Sequence, residues 1–395
     1  MKIKKLLSLI MAVLMIAAIP VTAFAGSTSE IYHVYANGIK VTKDNCDDVL
    51  SDGGSVKYDK ETSTITLTNA KITKANQYAA TSWYGLQIDT STAHKIELVG
   101  NNVIDLRNFK PETDESISEF CALSANGAIN FCGNGSLKLY TPDCYDCSAL
   151  DYGASLTFDG CKVEIHSGDG EYRASGIDYS ISSNRSKNVR LENGADLKVY
   201  AGSVTNNYYE VIEHAGIRCD SLVVDETSKC YAETGDLTVG DVNYATNAAI
   251  TAGAVWGGGE VTALAGKVTY TSTFNESLSY GIYDIGWPMD AESADGSALA
   301  DMTIIARGYD CGTLDTNVSQ YDMSDKINIL VSENIDGSDL KNLENGDRLT
   351  DYKYVMICPE GEIVIEEEEK SFFEMVIDFF VSIFESIVNF FMSLL

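Results

Sequence analysis

A phrase that recurs seven times constrains the fold of this chain more than any other feature. Each copy is a small residue followed by Leu or Ile, and the copies are Gly85-Leu86, Ala122-Leu123, Ala149-Leu150, Gly176-Ile177, Gly216-Ile217, Ala249-Ile250 and Gly281-Ile282. The aliphatic residues follow one another at intervals of 37, 27, 27, 40, 33 and 32 residues. A period of this size indicates a repeat architecture, in which each unit packs mainly on its neighbours.

Two further apolar pairs divide most units into three short segments. The first pair reads Ile96/Leu98, Ile129/Phe131, Leu156/Phe158, Val189/Leu191 and Leu222/Val224. The second pair reads Ile104/Leu106, Leu137/Leu139, Val163/Ile165, Leu197/Val199 and Cys230/Ala232. Alternation of apolar and polar residues predicts short β-strands, and turns such as Asn193-Gly194 separate them.

Strands of three to five residues cannot bury an inner face alone. Stacking successive units at about 4.8 Å gives each strand parallel neighbours and closes a dry core. We therefore predict an all-β fold over residues 61–306, in which three strands per unit form the coil of a right-handed single-stranded parallel β-helix. The alternative is an antiparallel sandwich or a series of immunoglobulin-like domains, which does not predict one three-part phrase at near-constant spacing.

Both ends of the predicted solenoid are expected to be covered. Asn37-Gly38, inside the strand-like segment 34–41, is a type I′ turn signal and predicts a hairpin. Segments 56–58 and 64–67 predict a second hairpin, so residues 26–60 are assigned as an N-terminal hairpin cap. The periodicity fades after residue 306, and 307–365 is assigned as a C-terminal cap or small β region. Its strand candidates are 326–331, 354–357 and 362–365.

A resemblance to a known group rests on the cap and on the repeats. Residues 34–41 read Val-Tyr-Ala-Asn-Gly-Ile-Lys-Val, 54–58 read Gly-Ser-Val-Lys-Tyr, and 64–70 read Thr-Ile-Thr-Leu-Thr-Asn-Ala. This opening resembles that of secreted β-helix proteins of anaerobic Gram-positive bacteria, described as right-handed β-helix or carbohydrate-binding-domain proteins. The resemblance covers residues 31–306 and implies a pectin-lyase-like solenoid. Its motifs are structural, so they specify the fold better than the activity.

The N-terminus predicts export. Lys2, Lys4 and Lys5 precede an apolar run over residues 6–18, and Ala23-Phe24-Ala25 offers a small-x-small cleavage site. These are the parts of a Sec-type signal peptide, assigned to residues 1–25. An uncleaved anchor is the alternative. The expected location is extracellular or at the cell surface.

The charge of the chain narrows its partners. The sequence has 28 basic and 58 acidic residues and a net charge of −30, which becomes about −33 after loss of the signal lysines. Such a surface repels nucleic acid and anionic lipid, so we expect no nucleic-acid partner. It favours divalent cations and neutral or cationic ligands. Disorder is excluded because apolar residues make up 45% and alternate throughout.

Ten cysteines in an exported chain raise the question of disulfides. Their uneven distribution fits a disulfide framework poorly, and a long chain with its own core needs no stapling. Cys144 and Cys147 form half of a zinc knuckle, but no second CxxC or suitably spaced histidine pair completes it. Buried free thiols, a few disulfides and a metal site therefore remain open.

The repeat register predicts one candidate ligand site. The exact 27-residue step places Ser124, Asp151 and Asp178 in one column, and Arg218 extends it in the next unit. Two carboxylates about 5 Å apart repel each other unless a cation or guanidinium lies beside them. A solvated ladder with a salt bridge, a ligand contact and catalysis are the three interpretations. No resident cofactor is expected, and calcium is the one candidate cation.

Aromatic residues suggest a carbohydrate ligand. Tyr152 and Tyr179 occupy the next column, and the chain has 22 tyrosines. Exposed aromatic rings on a solenoid face can stack against sugar rings. The alternative is that these tyrosines point inward or simply cover a sheet, because tyrosine favours strands.

Evidence for catalysis is weak in the sequence. Hydrolases that share the β-helix fold usually carry Gly-His-Gly and Arg-x-Lys motifs, and we expect neither here; none of the four histidines has glycine on both sides. Lyases need an Arg or Lys base, and the chain has seven arginines. We therefore expect a non-catalytic, adhesin-like protein that binds carbohydrate or another extracellular surface, with a polysaccharide lyase or glycosidase as the alternative.

The C-terminal segment differs from everything before it. Residues 366–370 form an acidic spacer, and 371–395 read as an amphipathic helix with a narrow polar stripe. The phenylalanines of its apolar face are Phe372, Phe373, Phe379, Phe380, Phe384, Phe390 and Phe391. Insertion at a membrane surface, self-association into a structural assembly and packing on the end of the solenoid are the three expectations for this helix.

Overall fold

The computed structural model describes residues 29–111, 119–179, 186–206, 211–240, 244–270, 277–283, 302–313, 327–344 and 347–359. These residues are nearly all β, in three sheets called A, B and C. Sheet A contains β1 (Ile31–Ala36), β2 (Ile39–Thr42), β6 (Asn76–Gln77), β7 (Ser82–Ile88), β10 (Glu119–Ala125), β13 (Cys144–Tyr152), β16 (Gly170–Tyr179), β19 (Val204–Asn206), β20 (Val211–Cys219), β23 (Leu237–Val239), β24 (Tyr244–Ala252), β27 (Val268–Tyr270), β28 (Ser277–Tyr283) and β30 (Cys311–Thr313). Sheet B contains β3 (Val56–Asp59), β4 (Thr64–Thr68), β8 (His94–Val99), β11 (Ile129–Cys132), β14 (Leu156–Asp159), β17 (Asn188–Glu192), β21 (Ser221–Val224) and β25 (Val255–Gly257). Sheet C contains β5 (Lys71–Ile72), β9 (Asn101–Asp105), β12 (Ser136–Tyr140), β15 (Lys162–His166), β18 (Asp196–Ala201), β22 (Lys229–Thr234), β26 (Glu260–Leu264), β29 (Thr303–Arg307), β31 (Ile327–Ser332), β32 (Lys341–Asn342) and β33 (Tyr354–Pro359).

The chain visits the three sheets repeatedly in the order A, B, C. One coil is β7, β8 and β9, the next is β10, β11 and β12, and each strand pairs in parallel with its counterpart one coil later. The all-β, parallel-strand character predicted from the repeats is confirmed. From β19 onward a short extra strand precedes each long strand of sheet A, and these extra strands form a branch with its own small core that the sequence did not predict.

The seven aliphatic residues of the recurring phrase form one continuous inner column. Leu86, Leu123, Leu150, Ile177, Ile217, Ile250 and Ile282 pair in register from β7 to β28. All seven are fully buried. The repeat therefore exists because each unit supplies one large side chain to the same position in a shared core.

The register of the earliest unit differs from the predicted pairs. In sheet B, Phe131 pairs with Ile96, so His94 and not Leu98 completes the inward pair of β8. In sheet C, Asn102 and Ile104 occupy the positions predicted for Ile104 and Leu106. The prediction was wrong by two residues because it required apolar side chains at both positions.

Asn102 can lie in the core because its side chain is fully hydrogen-bonded between coils. Its Oδ1 accepts the N–H of Ala70 at 2.8 Å, and its Nδ2 donates to the carbonyls of Ser136 and Val99 at 3.1 and 3.3 Å. A buried amide with these partners costs little.

The small residue before each aliphatic marks the closest approach of sheets A and C. A Cβ on Gly176 would lie 2.1 Å from Cγ1 of Val199, and one on Gly85 would lie 2.8 Å from Cγ2 of Ile104. At Gly85 and Gly176 sheet C leaves no room even for a Cβ, and the alanines at the corresponding positions of other units, Ala122, Ala149 and Ala249, are fully buried.

Antiparallel strands cover both ends of the parallel stack. The hairpin β1–β2 turns at Asn37 and Gly38, which both have positive φ, as the type I′ prediction requires. β1 then lies antiparallel to β7, and β3 lies antiparallel to β4. At the other end β33 lies antiparallel between β29 and β31. At each end, antiparallel strands thus cover the edges at which further parallel strands could otherwise join the stack.

The cysteines are mostly free. Cys144 and Cys147 form a disulfide within β13. The eight described free thiols include Cys46, which is half-buried, and seven that are buried. The signal peptide 1–25, the acidic spacer 366–370 and the amphipathic helix 371–395 with its phenylalanines lie outside the described residues.

Candidate functional site

The predicted column of Asp151, Asp178 and Arg218 lies on the outer side of sheet A. Ser124 pairs with Asp151, and Asp151 pairs with Asp178, on strands β10, β13 and β16. Arg218 follows on β20, with its Nη1 3.8 Å from Oδ1 of Asp178. The structure therefore brings three of the five predicted ligand-binding residues together.

Asp178 does not belong to a solvated ladder, because it is only 2% exposed. Its Oδ2 accepts hydrogen bonds from Nη1 of Arg173 at 2.7 Å and from the hydroxyl of Ser175 at 3.3 Å. Its Oδ1 accepts the backbone N–H of Tyr179 at 2.7 Å. Arg173 also binds both carboxylate oxygens of Asp146, at 2.8 and 2.9 Å. The protein itself thus satisfies this carboxylate, in a buried ion network.

The contact between Arg173 and Asp178 requires a bend in β16. Five residues of straight strand span about 16 Å, which is more than the two side chains can bridge. We place the bend at Gly176, which lies between the two residues and where an added Cβ would lie 2.1 Å from Cγ1 of Val199 on sheet C. Outer side chains before and after the bend converge into what we call the polar seam. The polar seam consists of Glu119, Asp146, Asp151, Arg173 and Asp178.

Asp151 is the least neutralised carboxyl of the polar seam. It is half-buried, and its burial together with the charge of Asp178 raises its pKa to about 7, against the opposing effect of Arg173. A carboxyl that titrates near neutrality can donate or accept a proton at physiological pH. This is the chemical property that the polar seam offers.

The two predicted tyrosines do not form a sugar platform together. Tyr152 is fully buried, and its hydroxyl donates to the carbonyls of Lys187 and Arg218 at 3.1 and 3.0 Å. Tyr179 is half-buried and meets Tyr152 edge to face, with ring centroids 6.1 Å apart. The interpretation of Tyr152 as a ligand contact is therefore wrong, because its ring belongs to the core.

The expected absence of an Arg-x-Lys motif is wrong, because residues 185–187 read Arg-Ser-Lys. Arg185 lies outside the described residues. Lys187 is buried; its ammonium donates to the carbonyl of Gly153 and lies 6.0 Å from the ring centroid of Tyr179. These contacts give Lys187 a structural role between coils.

The stacked aromatic rings on sheet C present their edges to solvent. The centroids of Tyr140 and His166 lie 4.9 Å apart, and those of His166 and Tyr200 lie 4.6 Å apart, with nearly parallel planes. The guanidinium of Arg107 covers the free face of Tyr140 at 4.0 Å, and Tyr231 packs on Tyr200. Sugars stack on ring faces, and the faces of Tyr140, His166 and Tyr200 are covered by neighbouring rings and by Arg107, so this ladder stabilises the sheet.

A cleft of about 830 Å³ lies where sheets A and C meet at the N-terminal end. We call it the corner cleft. Its principal lining residues are Lys71, Lys74, Gln77, Trp83, Phe109 and Lys110. This volume falls within the range of small-ligand sites.

Aromatic rings form the apolar part of the corner cleft. Trp83, on β7 between β6 and β10, is 8% exposed, and its ring lies 5.6 Å from that of the half-buried Phe109. Phe120 supports Phe109 from behind at 6.3 Å. The backbone N–H of Phe109 closes a turn onto the carbonyl of Leu106 at 2.9 Å, which holds the ring in place.

The N-terminal hairpin positions another wall of the corner cleft. Oδ1 of Asn37 accepts the backbone N–H groups of Thr73 and Lys74, both at 2.8 Å. Gln77 pairs with Trp83 across β6 and β7. A predicted cap element therefore also builds the candidate site.

The corner cleft is basic in an acidic protein. Lys71, Lys74 and Lys110 are exposed, and within the described part of the chain none of them forms an ion pair. Asp105 also lines the cleft, but Arg107 binds both of its carboxylate oxygens, at 2.9 and 2.6 Å. These hydrogen bonds lower the pKa of Asp105, although burial acts in the opposite direction. The three lysines therefore set the local charge.

Sequence reasoning missed the corner cleft because three separate segments build it. A signal was available: Lys71, Lys74 and Lys110 stand out in a chain with twice as many acidic as basic residues, and an aromatic residue, Phe109, directly precedes one of them. The register that brings 71–77 beside 105–110 could be read only from the corrected pairing of β5 with β9.

Within the described residues, no group of three or more His, Cys, Asp or Glu side chains is placed to hold a metal ion. None of the described segments forms a helix with the length and apolar character needed to cross a bilayer.

Comparison with known proteins returned no matching family model, no matching curated protein and no matching solved structure.

Proposed function

We propose that this protein is an exported, non-catalytic β-helix protein that binds carbohydrate of an extracellular or cell surface in the corner cleft. The observation that carries the proposal is the pairing of Trp83 and Phe109 beside the uncharged polar side chains of Gln77 and Asn108 in one cleft. Sugar rings are recognised by an aromatic surface together with planar hydrogen-bonding groups. The polar seam supports the proposal less, because its side chains are largely satisfied by one another.

A glycan array probed with the mature protein tests this function. Binding to a defined set of glycans is expected, and Phe109→Ala should weaken it at least about tenfold, the loss of one central aromatic contact. Tyr309→Ala is the matched control, since Tyr309 is exposed at the other end of the molecule. Absence of binding to any glycan, or equal loss in both variants, would contradict the proposal.

A polysaccharide lyase or glycosidase is the second candidate, and Asp151 favours it. Its pKa of about 7 suits a general acid, and a second carboxylate, Asp178, lies on the next strand. Release of reducing sugars or unsaturated products, abolished by Asp151→Asn while the fold remains intact, would establish this activity. Unchanged product release in that variant would exclude the polar seam as its source.

The sheet topology gives parallel strands but does not give the hand of the coils. We propose a right-handed pectin-lyase-like β-helix, because parallel strands joined by crossovers are right-handed in about 98% of cases. An experimental structure with left-handed coils would contradict this hand.

Export and the C-terminal segment give two further proposals. Secreted protein should begin at Gly26, as N-terminal sequencing would show. Residues 371–395 are proposed to mediate membrane association or self-association, so deletion of these residues should change the oligomeric state or the membrane-bound fraction. A truncated chain that behaves like the full chain in both assays would refute that role.

A further inference from the structure

The charge of the corner cleft is opposite to that of the molecule. The chain has a net charge of −30, and its overall composition favours neutral or cationic ligands. The corner cleft instead collects Lys71, Lys74 and Lys110 around one opening, while Asp105, the carboxylate among its described lining residues, is held by Arg107. A ligand bound there meets a local field that differs in sign from the surrounding surface.

From this contrast we infer that the corner cleft takes an acidic glycan, a chain of sugar rings that carry carboxylate groups. The inference rests on the proposed carbohydrate-binding function and specifies its ligand class. The rings would pack against the half-buried Phe109, which Trp83 supports from within the sheet, and the carboxylates would face the three ammonium groups at the rim.

The placement of the lysines fits a ligand with more than one charge. Lys71 belongs to the edge strand of sheet C, Lys74 follows it in the loop held by Asn37, and Lys110 comes from the loop after β9. They therefore surround the aromatic pair from separate segments, so one sugar on the aromatic surface has cationic groups on more than one side. A neutral glycan would leave these charges without a role in binding.

The test compares two probes and two variants of the mature full-length chain by isothermal titration calorimetry. The probes are a uronic-acid hexasaccharide and the same hexasaccharide with its carboxyl groups reduced to alcohols. The variant Lys71→Gln/Lys74→Gln/Lys110→Gln removes the charges of the cleft. Lys43→Gln/Lys267→Gln/Lys353→Gln removes three exposed charges elsewhere and leaves the net charge of the two variants equal.

The acidic probe should bind at least about tenfold more tightly than the reduced probe, and the cleft variant should lose about 10- to 100-fold of that affinity, as three partly screened ion pairs imply. The control variant should bind like the native protein, and thermal melts should show that both variants fold. Equal affinity for both probes, unaffected by the cleft lysines, would overturn the inference while leaving carbohydrate binding intact. No binding of either probe, or of any glycan on an array, would overturn both.

A third variant tests whether acidic residues of the chain itself neutralise the lysines of the corner cleft. The sequence after Pro111 carries Glu112, Asp114 and Glu115. If the acidic probe binds only when these residues are replaced by Gln, Asn and Gln, the cleft lysines serve the chain's own acids and the inference is wrong.

Discussion

Nη1 of Arg173 lies 2.7 Å from Oδ2 of Asp178, five residues further along the same strand. A straight strand cannot bring these atoms together. The contact therefore requires β16, and with it sheet A, to bend inward. The bend has two consequences: it brings the small residues of the repeat against sheet C, and it gathers outward carboxylates into the polar seam.

Removal of the Arg173 guanidinium should destabilise the protein, because Asp178 would stay buried. Arg173→Met leaves Asp178 buried without its closest cation, and we expect a loss of about 2 to 4 kcal/mol in the free energy of unfolding. Urea denaturation measures it. Arg190→Met is the control, because Arg190 is exposed and its Nε lies 4.0 Å from Glu192. Combining Arg173→Met with Asp178→Asn should recover part of the loss, and equal, small effects of the two arginine variants would refute the network's role.

Asp151 should make stability depend on pH in a defined direction. Its folded pKa of about 7 lies above its ordinary value of 3.8, so the folded state holds a proton that the unfolded state has released between these values. The contribution of this carboxyl to stability is therefore lost as the pH rises from about 4 to 7. Asp151→Asn should gain about 1 to 3 kcal/mol relative to the native protein at pH 8 and little near pH 4.

Urea denaturation across this pH range checks the gain, with Glu171→Gln as a control on the same outer surface, where Glu171 is exposed. Carbon-13 NMR of the carboxyl should place its midpoint near 7. A midpoint near 4, or a pH-independent effect of the substitution, would contradict the assignment.

His214 should make stability depend on pH in the direction opposite to that of Asp151. Its ring is buried, and burial lowers its pKa from 6.5 to about 4, against the opposing effect of backbone groups of Gly202 and Ala174. The unfolded chain takes up the proton first as the pH falls, so stability is lost between about pH 6.5 and 4. His214→Leu should reduce the loss of stability between pH 7 and pH 5 by about 1 to 2 kcal/mol. An unchanged acid dependence would show that other groups dominate.

The close approach of sheets A and C predicts a sharp difference between two glycines. Gly176→Ala must displace Val199 and the carbonyl of Gly216, which lies 2.8 Å from the added Cβ. We expect a loss of at least about 2 kcal/mol, the cost of overpacking a core. Gly194→Ala meets no atom within 4 Å, but it adopts a positive φ of 81°, and should lose about 1 kcal/mol. Thermal unfolding of both variants decides, and a milder effect at Gly176 would refute the packing argument.

The sequence predicted the parallel coils because the aliphatic column repeats one chemical requirement in every unit. Its first-unit pairs were wrong because His94 and Asn102 take inward positions and are stabilised by hydrogen bonds that no hydropathy pattern contains. Tyr152 is a different kind of error, because it lies two residues after the anchor Leu150 and period two already places both side chains on the same, buried face.

The bend and the corner cleft could not be predicted from the pattern. A bend needs the distance between two sheets, which is set by packing of Gly176 on Val199 rather than by local propensity. The corner cleft needs three separate segments in one place, and their positions depend on hydrogen bonds such as those of Asn37 with Thr73 and Lys74.

Hydrogen–deuterium exchange with a bound glycan from the array tests the central claim most directly, because the corner cleft and the polar seam lie on different segments. The account predicts that protection appears in residues 71–77 and 105–110 and that residues 146–151 and 173–178 are unchanged. Protection confined to 146–151 and 173–178 would contradict it and would move the binding site to the polar seam.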